Sequence, residues 1–202
     1  MSKLVFYNSK GGVGKSTLSM CIALETGFPV ATNDLASQST GILPEEKFKI
    51  LAKEAPFPEI PSDLDIIYDL AGHNDDRIIP VLREADFVVI PIINDRKEIF
   101  GSLKTIETIL EFTNNIVFIA NKLEGNSGID FDSIKKIIST RYNFPVFPLK
   151  KSTIFDQSEI EKKSISYVYN KALEKKMPYC KAFEKVVFQM KEIINYLLYN
   201  KK

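Results

Sequence analysis

Ten residues near the start of the chain constrain its fold more than any others: Asn8-Ser9-Lys10-Gly11-Gly12-Val13-Gly14-Lys15-Ser16-Thr17. They follow an apolar, β-branched and aromatic run, Leu4 to Tyr7, and open a segment of helical character, Ser16 to Thr26. A strand that passes through a glycine-rich turn straight into a helix aims several backbone N–H groups at one point. The helix N-terminus adds unpaired donors and a positive dipole end, so the turn suits an anion. Gly11, Gly12 and Gly14 supply the turn, since only residues without Cβ let the backbone come so close to phosphate oxygens. Val13 completes the loop. Lys15 adds a charge for the β and γ phosphates, the Ser16 hydroxyl suits Mg²⁺, and Thr17 reaches the α phosphate.

Loops of this kind usually read GxxxxGK[ST]. Here Ser9 stands where the first glycine belongs and Lys10 follows it, giving the xKGGxGK[ST] form known as the deviant Walker A motif. Six defined positions between a predicted strand and a predicted helix leave little room for a glycine-rich turn that binds no nucleotide.

Further along, short β-branched runs alternate with longer amphipathic ones. Leu4 to Tyr7, Val30 to Thr32, Leu64 to Tyr68, Phe87 to Ile92, Ile116 to Ala120 and Val146 to Phe147 read as strands. Ser16 to Thr26, Asp76 to Glu84, Arg96 to Phe112, Asp132 to Arg141 and Tyr179 to Tyr199 read as helices. That alternation predicts an α/β fold: one P-loop domain over residues 1–202, with a twisted, mostly parallel sheet and helices on both faces. With 45% of the chain hydrophobic, a sizeable core is within reach. Residues 41–61, broken by Pro44, Pro56, Pro58 and Pro61, resist assignment. Phe183, Val186, Val187, Met190, Ile194, Leu197 and Leu198 share one face of the last helix, which suits core packing better than a membrane surface.

No apolar run reaches the roughly 18 residues needed to span a bilayer, and the first residues lead directly into a strand, so neither an anchor nor a signal peptide is expected. Cys21 and Cys180 lie far apart without CxxC spacing, which suggests reduced thiols in a cytoplasmic protein. The net charge of +1 is unevenly spread. Residues 148–202 carry twelve Lys against six acids, while the rest of the chain is net acidic. A basic segment is either a solvated face or a surface for a polyanion.

An apolar strand that ends in a carboxylate, Leu64 to Asp69, places an acid where a P-loop enzyme needs one to hold the water shell of Mg²⁺. His73, the single histidine, reads as an exposed loop residue.

The deviant loop resembles that of the ParA/MinD family of ATPases. Asn8-Ser9-Lys10-Gly11-Gly12 is similar to the NxKGG form of its plasmid and chromosome partition members, and the turn Leu70-Ala71-Gly72, with no N-terminal helix-turn-helix expected, resembles the short ones among them. The resemblance implies that Lys10 crosses a sandwich homodimer, formed on ATP binding, to touch the partner's nucleotide. Asp69 resembles the switch II aspartate. Asp34-Leu35-Ala36-Ser37-Gln38 resembles the switch I sequence DxDPQ, with Asp34 and Gln38 matching and Ala36 standing where the second aspartate, tied to hydrolysis, belongs. A shifted register would put Asp34 in that second place and lose the glutamine match. In the preferred register ATP binding and dimerisation survive, while hydrolysis is slow or depends on something else. Asn121, at the end of a strand, resembles the family's adenine contact. Pro148-Leu149-Lys150-Lys151-Ser152 with Phe155, then Ser164-Ile165 and Tyr167, looks like its loop and helix beside the base, so Leu149 joins the base site. The implied cofactors are ATP and Mg²⁺. The implied role is DNA segregation on the nucleoid: an ATP dimer binds DNA non-specifically through Lys171, Lys175, Lys176, Lys181 and Lys185, and a centromere-binding ParB/ParG-like partner releases it.

Three other readings compete. Asp69-Leu70-Ala71-Gly72 fits the GTPase DxxG, and Asn121-Lys122-Leu123-Glu124 nearly fits NKxD, although guanine reading wants Asp at position 124. A membrane-positioning ATPase of the MinD type is the second. A non-hydrolysing ATP-dependent binding module, resting on Ala36, is the third.

Overall fold

The computed structural model describes residues 1–35, 37, 39–53, 55, 57, 63–72, 75–124 and 127–200, without the side chains of residues 96 and 127–129. The apolar runs form a parallel sheet of seven strands among these residues. They are β1 (Lys3–Phe6), β2 (Val30–Thr32), β3 (Phe48–Ile50), β4 (Ile66–Asp69), β5 (Phe87–Ile93), β6 (Ile116–Leu123) and β7 (Val146–Lys150), in spatial order β3-β2-β4-β1-β5-β6-β7. The helices are α1 (Lys15–Thr26), α2 (Ile78–Glu84), α3 (Arg96–Ile109), α4 (Ser127–Ser139), α5 (Ile154–Glu161), α6 (Ile165–Glu174) and α7 (Cys180–Tyr199).

Strand side chains alternate between faces, and here both faces are covered, which is why the strands read as unbroken apolar runs. Leu4, Phe6, Ile67, Val89, Val117 and Ile119 pack with α1, α5, α6 and α7. Val5, Ile66, Tyr68, Val88, Ile90, Ile116 and Phe118 pack with α2, α3 and α4. The chain leaves β1 toward β2 and β3 and returns through β4. It then crosses β1 to reach β5, β6 and β7. The carboxyl end of β1 thus lies where the path reverses, the place where open α/β sheets bind ligands.

The α/β expectation holds, and three elements go beyond it. Part of the unassigned segment adds β3 at the sheet edge, pairing Phe48 with Val30 and Ile50 with Thr32. Instead of one loop and helix after β7 there are two helices, α5 and α6, divided at Lys162, which takes φ 52 without being glycine. The buried stripe of α7 also turns slightly from the expected face: Phe183, Val186, Val187, Met190 and Leu197 are buried as read, together with Ile193, whereas Ile194 and Leu198 are half-buried. Full burial of such side chains stabilises by roughly 1.5–3 kcal/mol each, which assigns the stripe to the core. Among the described residues no helix is long and apolar enough to cross a membrane. Both cysteines are free thiols.

Candidate functional site

Asn8 leaves β1 fully buried, its carboxamide Nδ2 donating to the Pro91 carbonyl and to Ser102 Oγ, both at 2.8 Å. Its Oδ1 accepts from the Lys10 backbone N–H at 3.0 Å. Ser9, the departure from the usual glycine, docks on Thr105: its N–H donates to Thr105 Oγ1 at 3.2 Å, and the two hydroxyls lie 2.6 Å apart. The loop is therefore pinned at its start to two hydroxyls one turn apart on α3. Beyond it the backbone swings through positive φ at Gly12 (+74°) and Gly14 (+97°), and Gly14 caps α1 without any side-chain acceptor. A Cβ on Gly14 would lie 2.4 Å from Asn121 Nδ2, so both conformation and space require glycine there.

Two cavities meet at this turn. The first, about 370 Å³, is lined by Gly11, Gly12, Lys15, Ser16, Asp34, Asp69 and the Leu70-Ala71-Gly72 turn, among others. Lys15 Nζ donates to the Lys10 carbonyl at 2.9 Å. Burial lowers its pKa, and Asp69 and Asp34 work against that. Asp69, at the end of β4, is 2% exposed, and among the described residues neither carboxylate oxygen has a partner within hydrogen-bond range, the Ser16 hydroxyl standing near but outside it. Burial pushes its pKa up to about 6. The Ser16 hydroxyl and the Lys15 ammonium oppose this rise, and Asp34 adds to it. A carboxylate stranded beside a hydroxyl is an arrangement that a hydrated divalent cation completes.

The second cavity, about 610 Å³ and more apolar, shares Gly14, Thr17 and Lys122 with the first and runs on to Asn121, Lys151, Ser152, Phe155 and Asp156. Cavities of this size and lining suit a small organic ligand. Tyr179, which caps α7, and Ala182 and Phe183 of α7 wall it too. Asn121 is 6% exposed and spends its Nδ2 on the Val13 carbonyl at 2.8 Å, bracing the phosphate loop from β6, while the Val13 side chain is fully buried. Lys122 sits at the irregular end of the β6–β7 pairing with φ 56, and its Nζ donates to the Gly12 carbonyl at 2.8 Å.

The expected residues come together unevenly. Gly11, Gly12, Gly14, Lys15, Ser16, Thr17, Asp34, Asp69 and Asn121 line the two cavities, while Lys10 and Val13 line neither and offer their carbonyls to Lys15 and Asn121. Leu149 does not. Its side chain is fully buried in the core on the α1 and α7 face of β7, and the second cavity is lined instead by residues of the following loop and of α5. The Lys10 side chain lies folded along α3, where a Cβ on Gly101 would come within 1.9 Å of its Cε. Glu124, the near-match to a guanine-reading aspartate, is exposed and paired with Lys151 at 2.6 Å. Of the basic set, Lys171 is half-buried and paired with Glu161, whereas Lys175, Lys176, Lys181 and Lys185 are exposed around the α6–α7 connection. Ala36, Gln38 and His73 lie outside the described residues. Sequence reasoning missed Ser102 and Thr105, the Tyr179 wall and the Lys122 latch. Only Lys122 carried a signal, its place beside Asn121.

Comparison with known proteins places this geometry. A family model described as the CobQ/CobB/MinD/ParA nucleotide binding domain matches residues 4–165. A search of curated sequences finds no relative. An ATP complex of an aspartate-to-alanine variant of Cyanothece McdA is 14% identical, covers 100% of this chain and 97% of its own, and has a TM-score of 0.65. The septum site-determining protein MinD of Pyrococcus horikoshii, complexed with Mg-ADP, is 13% identical, with coverage of 100% and 99% and a TM-score of 0.62. A plasmid partition protein of Borrelia burgdorferi bound to AMPPNP is 14% identical, with coverage of 95% and 99% and a TM-score of 0.53. These likenesses concern the fold.

Proposed function

The chain belongs to the CobQ/CobB/MinD/ParA nucleotide-binding family, and from that premise we propose that it is an ATP- and Mg²⁺-dependent DNA-segregation ATPase that closes as a homodimer on ATP. The single observation that carries this reading is the stranded Asp69 carboxylate beside Ser16 and Lys15 in the phosphate cavity. Relatives captured with ATP, with Mg-ADP and with AMPPNP support an adenine nucleotide. So does Glu124, turned to Lys151 instead of to a base.

In this reading the amides from Gly11 to Ser16 and the Lys15 ammonium hold the phosphates, and Ser16 and Asp69 hold Mg²⁺, directly and through water. Bound Mg²⁺ neutralises charge that builds on the phosphate oxygens. Asn121 and the Phe155 side of the second cavity receive the base, and Lys10 leaves Gly101 to reach the partner's nucleotide. Asp34 borders the same phosphates, and with Ala36 in the position otherwise held by a hydrolytic aspartate, turnover is slow. The exposed lysines Lys175, Lys176, Lys181 and Lys185, with Lys171 beside them, serve non-specific DNA. A ParB/ParG-like partner recycles the dimer.

Calorimetric titration with ATP–Mg²⁺ and GTP–Mg²⁺ tests the nucleotide reading. Wild type should bind ATP and prefer it to GTP, and Lys15→Ala should lose binding by at least about tenfold. Equal ATP affinity in both proteins defeats it.

A further inference from the structure

Where β2 ends, the side chain of Asn33 is buried rather than exposed, at 4%. Its Oδ1 accepts from the Ala71 backbone N–H at 2.8 Å, and its Nδ2 donates to Asp75 Oδ2 at 2.9 Å. Ala71 lines the phosphate cavity two residues after Asp69, and Asp34 lines it immediately after Asn33. One carboxamide thus ties together the two chain segments that face the phosphates.

The network continues outward. Arg77 forks onto Asp75, with Nε to Oδ1 at 2.8 Å and Nη2 to Oδ2 at 2.7 Å. Its Nη1 donates to the carbonyls of Ala52 at 2.9 Å and Ala55 at 2.6 Å. The same guanidinium lies 6.0 Å from the Phe57 ring centroid, and Phe57 sets its edge on Tyr68 of β4. The Arg77 fork, with lesser help from Asn33, holds the Asp75 carboxyl down at about 2, so it stays an acceptor throughout the physiological range. Leu51 joins the segment to β2 through its N–H on the Thr32 carbonyl at 2.7 Å and buries its side chain beside β4 and α2. A bidentate arginine–carboxylate pair has a fixed geometry. Ala71, Asn33, Asp75, Arg77 and the carbonyls of Ala52 and Ala55 thus form one continuous hydrogen-bonded chain.

We propose that Asn33, Asp75 and Arg77 are positioning residues that set the Ala71 peptide against the terminal phosphate and relay its position to Ala52, Ala55 and Phe57. The relay rests on the nucleotide reading above. It makes Ala52, Ala55 and Phe57, far from the phosphate loop in sequence, a place that changes with the state of the nucleotide.

The test has an arm that needs no nucleotide. In the nucleotide-free protein, amide hydrogen exchange at Ala71 should be slow in wild type and at least about tenfold faster in Asn33→Ala. Asn33→Asp should stay protected, since it keeps the acceptor for Ala71, yet it sets a carboxylate against Asp75 and so breaks the relay. The chain has no tryptophan, so Phe57→Trp supplies a single reporter. ATP–Mg²⁺ should change its fluorescence, and the change should vanish when Asn33→Asp or Arg77→Lys is added. In turnover, Asn33→Ala and Arg77→Ala should lower kcat about tenfold or more while KM stays within about threefold. Ala71 exchange that is equally fast in wild type and Asn33→Ala overturns the proposal. So does a reporter response that survives Arg77→Lys. If wild type binds no ATP while Ala71 is protected, the nucleotide reading and the relay fail together, and the Asn33 bond stands as a structural contact alone.

Discussion

Asp69 shows most plainly what the site asks of a single residue. A carboxyl whose pKa rises from 3.8 to about 6 on folding contributes stability that is fully present below pH 3.8 and is lost as pH rises through 6. The loss amounts to ~3 kcal/mol by the linkage between pKa and stability. Asp69→Asn removes that loss. Chemical denaturation should find the variant more stable than wild type at pH 7.5 by about 1–3 kcal/mol, and the two nearly equal at pH 4. The same variant should hydrolyse no ATP. A variant less stable than wild type at pH 7.5 would show that the carboxylate has partners in the folded protein. At this scale the sequence was informative wherever a motif states a local requirement: Gly12, Gly14, Lys15, Ser16 and Asp69 were all read from short runs. It was silent on Ser102 and Thr105, whose hydroxyls hold Asn8 and Ser9 from about a hundred residues away. It also misled at Leu149, where a likeness in the run gave no information on which face of β7 the side chain takes.

Elements were legible where their periodicity was strong and their burial one-sided or complete. The central strands and α1, α3 and α7 fall close to their expected spans. β3 escaped because its three residues, Phe48 half-buried and Lys49 and Ile50 exposed, show no apolar alternation, and the pairing to β2 alone makes them a strand. The break between α5 and α6 escaped because a lysine, not a glycine, takes the left-handed position. The extension of β6 carries Asn121 and Lys122 to the phosphate loop, and this junction is the most sensitive point between elements. Gly14→Ala would force a Cβ into φ +97° and to within 2.4 Å of Asn121 Nδ2. It should cost about 1–3 kcal/mol of stability through backbone strain and abolish ATP binding. Thermal denaturation and titration together check this, and a Gly14→Ala protein with wild-type melting and ATP affinity would show that the turn relaxes freely.

Across the whole molecule, one face of the sheet carries the helices that reach the base cavity, and the same α7 whose first turn walls that cavity presents Lys181 and Lys185 to solvent. The uneven charge seen along the chain thus becomes a basic surface around the α6–α7 connection, reduced by the pairing of Lys171 with Glu161. In the proposed ATP dimer this surface would be present twice, doubling the contacts open to DNA phosphates. Each contact releases counterion, so binding to DNA should require ATP and weaken steeply with salt. The family and the fold follow from residues read in order. The dimer, the DNA and the partner depend on a second molecule, which no single chain displays. Sedimentation velocity with ATP–Mg²⁺, run with and without a short DNA duplex at low and moderate salt, tests them most directly. Wild type should shift from monomer to dimer on ATP and co-sediment with DNA only then, while Lys10→Ala binds ATP and stays monomeric off the DNA. A wild-type protein that remains monomeric with saturating ATP, or that holds DNA equally without nucleotide, would contradict the account.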